Sequence, residues 1–571
     1  MIRVRESRAA IEKIYIEIRH FFNRGYYKPF GVSGKEMIDA LLMLRPEIYG
    51  SINDPKKVEL DGLVYVIDRL PKGIEECRII NFISEEGYAT SSFEHFVPPK
   101  RKRNCYRVDS EQFCIEITRG RSELYDILTH LTFLFIEAEK IKRRTHDEKG
   151  RKTREWHYLE ELAKHKYTPE GRELEVAITH TSTIVGRTFD ETRRAYYRLA
   201  ENPKDNSGLF NIVYHLGRVS LEEEREQKWR EIRFTPTLRE RIGQHIYGER
   251  WATNIKEVIY SQYKNQRPLH IISANMHSVL NALFAYPALH QQFPNYGIKE
   301  LALEISKSDK NLLQNKVQEY AIRQGMIYIE DTSGTLLNVQ IFDTDKIDWS
   351  KISPEIQPDL EYIRTQKPLL VVMDYAFGEQ AYECMDELLK PYKFRDTEIN
   401  MQVASVNIMG KAGTLQGKKG DIMIPTAHVF EGTADNYPVD NQVSAADFAH
   451  ETIPVYEGTM ITVLGTSLQN KDILNYFKTS SWNAIGLEME GAHYQKAIQS
   501  ASRIRKSIRR DVKVSYAYYA SDNPLETGHT LASGSLGAIG VKPTYLITLV
   551  ILNKILRNFR HCLAEAEVST E

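Results

Sequence analysis

From about residue 265 onward the chain alternates short apolar runs with glycine-bearing turns and helical stripes. No other feature restricts its fold so much. "LHIISANMHSVLNALFAY" (269–286) reads as a strand from His270 to Ala274, a turn and a helix. "KPLLVVMDYAFGEQAYECMDELLKPY" (367–392) repeats that order, and "MQVASVNIMGKAGTLQGKKGDIMIPTAHV" (401–429) reads as strand, glycine loop, strand. "MIYIEDTSGTLLNVQIFD" (326–343) predicts a hairpin turning at "TSG". "GTMITVLGT" (458–466) and "DVKVSYAYYASDNP" (511–524) supply two more strands, and a helix from about Tyr545 to Leu563 closes the chain. Strands alternating with helices predict an α/β domain over 246–571, with a mixed, largely parallel sheet flanked by helices. In such folds ligands gather where strands end.

Residues 1–245 read as a mainly helical domain of unassigned role. Ile11, Ile14, Tyr15, Ile18, Phe21 and Phe22 recur at helical spacing ahead of Gly25. "SELYDILTHLTFLFIEAEKI" (122–141) is apolar nearly all round and predicts a buried helix. "VPPKRKRNCYR" (97–107) reads as a basic loop, residues 142–158 as a charged linker or exposed hairpin, and residues 220–234 as a surface helix. Basic and acidic residues nearly cancel, 76 against 77, which disfavours nucleic acid as a partner. The five cysteines are scattered without any CxxC, so neither a disulfide framework nor a zinc site is expected, and a reducing cytoplasm fits. Charges break the apolar residues of the N-terminus, so it does not read as a signal peptide. No run approaches the ~18 consecutive apolar residues of a membrane span.

Four junctions in the second half carry residue types suited to chemistry. In "IMGKAGTLQGKKGDIMIP" a strand runs into Gly410, Gly413 and Thr414, where glycine lets backbone approach a ligand closely; a plain tight turn explains the stretch equally well. In "GLEMEGAHYQKA" (486–497) Glu488 and Glu490 are two apart, so on a strand end they would share a face, with Met489 on the other. A carboxylate there can hold two vicinal hydroxyls. Taken alone, the stretch reads more simply as an acidic helix start. "YYASDNPLETGH" places Ser521 and Asp522 after an apolar strand, where an Asp is an Asx-turn or a partly buried general acid. In "VVMDYAFGEQAY" Asp374 and Glu379 flank Gly378, as a helix cap or as a ligand turn.

In this order the junctions resemble the purine nucleoside phosphorylase and nucleosidase superfamily, over roughly residues 260–560. "SDNPL" (521–525), the turn at Asn275 and the long N-terminal extension are similar to AMP nucleosidases in particular. The resemblance implies a nucleoside phosphorylase-like fold without a cofactor or metal. It implies that Glu490 grips ribose hydroxyls, that Met489 packs on the sugar and that Asp522 protonates the purine. The candidate substrate site also takes in Gly410, Gly413, Thr414, Asn275, Gly378 and Ser521, with Glu379 added on chemistry alone and Glu488 as either a second hydroxyl ligand or the acidic end of a strand. Related enzymes are mostly oligomers, so a homo-oligomer is expected, acting on a small purine nucleotide or nucleoside with no membrane partner.

The sequence departs from that pattern in three places. The glycine turn after the fourth strand keeps only Gly378. Ile408 stands where hexameric phosphorylases carry an arginine, and no arginine lies between Arg395 and Arg503. A phosphate nucleophile wants a cation, so hydrolysis is favoured over phosphorolysis, with Lys411 as a partial substitute. "SANMHSV" lacks the acid that activates water in small nucleosidases, which leaves Glu379 as a candidate on chemistry alone. Phosphorolysis, or nucleoside binding without turnover, remain the alternatives.

Overall fold

The computed structural model describes residues 2–571 apart from 166–167, 265–266, 308–310, 432, 434, 527–536 and 559–571. The chain divides into two compact units: Met1–Gln244 with Ser467–Ile473, and His245–Thr466 with Leu474–Glu571.

The first unit is richer in sheet than its sequence predicts. Strands β1 (Tyr26–Tyr27), β2 (Ile79–Ile83), β3 (Glu94–Phe96), β4 (Cys105–Arg107), β5 (Gln112–Glu116) and β6 (Glu231–Phe234) form one sheet in the order β1-β6-β2-β5-β4-β3. Its middle, β6-β2-β5, is parallel, and the outer strands are antiparallel. Around it stand α1 (Ile2–Arg24), α2 (Val32–Leu44), α3 (Leu60–Ile67), α4 (Gly120–Lys142), α5 (Arg154–His165), α6 (Gly171–Val185), α7 (Phe189–Ala200), α8 (Leu209–Glu226) and α9 (Pro236–Arg241). The buried α4 is the helix expected over 122–141. The surface helix expected over 220–234 is instead the end of α8 followed by β6, because Ile232 and Phe234 are buried on the sheet.

In the second unit, strands β7 (Leu269–Ser273), β8 (Ile327–Ile329), β9 (Val339–Asp343), β10 (Leu369–Met373), β13 (Val403–Thr414), β14 (Ile422–Phe430), β15 (Asn436–Pro438), β16 (Val455–Thr462), β17 (Gly486–Glu488) and β18 (Lys513–Asp522) share one sheet, while β11 (Tyr392–Phe394) and β12 (Thr397–Ile399) form a separate hairpin. Its order is β15-β14-β16-β17-β13-β7-β10-β9-β8, and β18 pairs with both β13 and β14. That double pairing closes a ring, β13-β18-β14-β16-β17 and back to β13. The sheet is less parallel than expected. The stretch β10-β7-β13-β18 is parallel, but β17 meets β13, β14 meets β18 and β9 meets β10 antiparallel. The hairpin expected over 326–343 is β8 with β9.

The other helices are α10 (Ile246–Tyr263), α11 (Met276–Leu289), α12 (Ile298–Lys307), α13 (Leu312–Arg323), α14 (Leu360–Gln366), α15 (Gln380–Leu388), α16 (Lys471–Thr479), α17 (Gly491–Gln499) and α18 (Ala538–Leu556). They cover both faces of the sheet. Leu369, Val371 and Met373 enter one core with Trp251, Cys384 and Tyr494; Leu370 and Val372 enter the other with Leu283, Leu301 and Leu552. Burial on both sides explains why these strands read as unbroken apolar runs. By length and composition α18 could also span a membrane, although most of it lies inside the second core. The residues beyond Leu556 at which the final helix was expected to end lie partly outside the described ones.

Candidate functional site

The carboxyl ends of β7, β10, β13 and β18 lie at one edge of the parallel stretch, and the candidate residues cluster on the turns that leave them or beside them. Glu488 and Glu490 do not share a face as expected. Strand β17 ends at Glu488, and Glu490 has already turned into the N-cap of α17 with φ −126°.

The two carboxyls are therefore held differently. Glu488 is buried at 4% exposure. One of its oxygens accepts from the backbone N–H groups of Glu490 and Gly491, and the other accepts from the Thr462 hydroxyl. Nδ1 of the fully buried His428 lies 3.4 Å from that second oxygen. Thr462 also accepts from the N–H of Ala492 at 2.9 Å. Burial pushes the Glu488 carboxyl up, but His428, Thr462 and the Gly491 N–H outweigh burial and hold it below its ordinary value. These bonds direct both oxygens of Glu488 into the protein, so it fixes the start of α17 rather than presenting itself to a ligand.

Glu490 is the opposite case. Its Oε1 accepts the N–H of Gly378 at 2.9 Å, and the residue keeps part of its surface. Burial and the neighbouring Glu488 charge raise its pKa to about 8, against the pull of the Gly378 and Met489 N–H groups and of Lys411. Two acids two residues apart thus sit in opposite protonation states near neutral pH, a division that characterises acid–base sites. Gly491 is sterically required beside them, because a Cβ there would lie 2.2 Å from the His428 ring.

Gly378 reaches Glu490 because it adopts φ +56° in the turn between β10 and α15, with Glu379 helical just after it. Gln380 holds this turn by accepting from the Phe377 N–H at 3.0 Å and donating to the Thr335 carbonyl at 2.7 Å. Gly410 lies within β13 opposite Tyr518, and the rings of Tyr518 and Tyr375 flank the position of its absent Cβ. Lys411, the next residue, is exposed. Met489 is almost fully buried.

Several expected ligand residues have structural partners. Asn275 caps α11, accepting from the His277 N–H at 2.9 Å. The strand continues through Gly413 and Thr414 instead of ending at a glycine loop; Gly413 sits at a bulge paired with both Leu487 and Asp522. Thr414 is fully buried and bonds to Gln416 on the tight turn that follows. The left-handed glycines of that turn are Gly417 and Gly420. Ser521 donates to the Ala412 carbonyl at 3.1 Å and bonds to Asp522, which has no solvent-exposed surface. Of this group Glu490 and Lys411 keep accessible surface, Gly378 and Gly410 are buried beside them, and Asp522 lies buried at the neighbouring strand end. Thr462 and His428 escape a sequence reading, because nothing in "PTAHVF" or "TMITVL" marks a partner for Glu488.

A family model described as "Family of unknown function (DUF6909)" matches residues 35–293 and 291–557. No curated protein matches the chain. Similar solved structures include 5′-methylthioadenosine/S-adenosyl homocysteine nucleosidase from Campylobacter jejuni, 11% identical, covering 51% of this chain and 98% of that one at a TM-score of 0.31. A futalosine hydrolase mutant of Helicobacter pylori is 11% identical over 51% of this chain and 98% of its own, at a TM-score of 0.29. The Neisseria meningitidis 5′-methylthioadenosine/S-adenosylhomocysteine nucleosidase in complex with methylthio-immucillin-A is 9% identical over 50% and 99%, at a TM-score of 0.31.

Proposed function

We propose that this chain, which belongs to the DUF6909 family of unknown function, hydrolyses the N-glycosidic bond of a purine nucleoside or nucleotide. The observation that carries the reading is the split pair at the β17–α17 junction: Glu488 fixed inward by His428 and Thr462, and Glu490 offered at the strand-end edge against the Gly378 N–H. Breaking such a bond gives the sugar cationic character and leaves the base as an anion unless it is protonated. Glu490, once ionised, holds the ribose hydroxyls and faces the cation. Asp522 is the acid that protonates the base, which reaches it only by displacing what now covers it. The AMP nucleosidase-like motif order supports a nucleotide as substrate, and the absence of arginine from 396 to 502 supports water over phosphate as nucleophile.

The complete burial of Asp522 favours a second reading, a nucleoside-binding protein without turnover. One assay separates the readings. The protein is incubated with AMP, adenosine, inosine and 5′-methylthioadenosine, with and without phosphate, and free base is followed. Base released without phosphate is the expected outcome, and Asp522→Asn should lower turnover at least about 100-fold while the fold is retained. Base only in the presence of phosphate would mean phosphorolysis. Binding without release, or an unchanged Asp522→Asn rate, would remove the assigned chemistry.

A further inference from the structure

Gly410 stands where neither backbone nor packing demands a glycine. Its φ lies outside the left-handed region. A Cβ built on it would lie 3.6 and 3.8 Å from Cδ1 and Cε1 of Tyr518 and 3.8 Å from Cε1 of Tyr375, all ordinary van der Waals distances. The missing side chain therefore leaves a slot, wide enough for a methyl group, between two tyrosine rings.

The two walls of the slot differ. Tyr375 sits in the turn after β10 and keeps 37% of its surface, and its hydroxyl is held by Tyr519 and the Asn275 backbone. Tyr518 pairs with Gly410 across β18 and β13 and is 4% exposed. Its hydroxyl is buried and has no hydrogen-bond partner among the described residues. The neighbouring buried tyrosines are satisfied: Tyr516 donates to Gln495 at 3.0 Å, and Tyr494 bonds to Ser273 at 2.9 Å. Glu488 offers Tyr518 nothing, because its oxygens are already engaged by Thr462 and the Gly491 N–H. Burial first, then Glu488, Tyr516 and Glu490, push the Tyr518 phenol well above its ordinary pKa, so it stays protonated. A buried donor without an acceptor is unfavourable.

We propose that this slot seats the pentose of the substrate and that the Tyr518 hydroxyl donates to one sugar hydroxyl, which makes the site selective for ribose over deoxyribose. The assignment rests on the reading of this edge as a purine nucleoside site. A sugar hydroxyl donates and accepts at once, so it can donate to ionised Glu490 while it accepts from Tyr518. Attacking water fits the phenol less well, because a permanent donor ties up the lone pair that must reach the sugar carbon.

The full-length protein is titrated with 9-deazaadenosine and 9-deazainosine, whose carbon–carbon glycosidic bond water does not break. Their 2′-deoxy and 3′-deoxy forms are compared, each as nucleoside and as 5′-monophosphate. The ribose form should bind at least about 10-fold tighter than one of the deoxy forms. Tyr518→Phe should weaken the ribose form by about that factor and leave that deoxy form unchanged. Its Tm should not fall, since the lost hydroxyl had no partner. Gly410→Ala should also keep its Tm, because the new methyl group meets no clash, yet weaken every form at least about 10-fold by filling the slot. If Tyr518→Phe does not fold, Gly410→Ala decides. Equal loss for ribose and deoxy forms in Tyr518→Phe, no loss at all, or full binding by Gly410→Ala would overturn the assignment. No binding of any form by the unsubstituted protein would remove the nucleoside reading and the assignment with it, an outcome distinct from the others.

Discussion

At the scale of single residues, the two glutamates of "LEMEG" differ in task because they differ in neighbours. Glu488 gains a hydroxyl, an imidazole and backbone donors, and stays charged. Glu490 gains one backbone donor, loses solvent and feels the Glu488 charge, so its pKa rises to about 8. A raised carboxyl pKa contributes stability in full below the unfolded value of 4.5, and that contribution fades as pH climbs through about 8. Glu490→Gln should therefore gain stability relative to the unsubstituted protein between pH 6 and pH 9, read as a shift in denaturation midpoint. If ionised Glu490 faces the sugar cation, kcat/KM should rise with pH through about 8 and level off above it. A profile flat across that range would separate Glu490 from the chemistry. The sequence marks Glu490 only through the order of motifs around it, since the stretch alone reads as an acidic helix start. The task of Glu488 is not marked at all, because His428 stands 60 residues earlier in a strand whose pattern records only burial.

At the scale of elements, the junction works only because α17 begins against the His428 ring. Gly491 is the residue that permits this, and its Cβ would meet ring atoms at 2.2 and 2.3 Å. Gly491 is buried at the start of α17 and His428 on β14, so neither moves away easily. Gly491→Ala should destabilise the protein by about 1–3 kcal/mol, the usual effect of overpacking. Adding His428→Ala should recover part of that loss in a double-mutant comparison of denaturation midpoints. Simple additivity would mean that the ring is not what the new methyl group meets. The elements visible in sequence were those with both faces buried, such as β7, β10 and β13, or with a long helical period, such as α4. Those missed were the short strands of the first unit: β1, β3 and β4 have only two or three residues each, too few to show alternation. Their ladders also join distant segments, as when β2 pairs with β6 some 150 residues later.

At the scale of the whole molecule, the chain order and the compact units do not coincide. Ser467–Ile473 follows β16 of the second sheet yet belongs to the first unit. Asn470 is its anchor: its buried side-chain amide donates to the Leu44 carbonyl at 2.7 Å and to the Ser7 hydroxyl at 3.0 Å. The Glu47 N–H donates to the Gln469 carbonyl at 2.9 Å beside it. A polar segment of seven residues gives no sign in sequence of where it docks, because its bonds to the Leu44 carbonyl and the Glu47 N–H are to backbone groups that every sequence offers. Asn470→Ala leaves the Leu44 carbonyl, at the end of α2, without this donor. A buried acceptor stripped of its partner costs about 1–3 kcal/mol. The variant should lose that much stability in denaturant, and amide protection should fall around Leu44 and Glu47 while the β13 and β18 amides of the other unit keep theirs. Unchanged protection near Leu44 would mean that the segment is held by its backbone contacts alone.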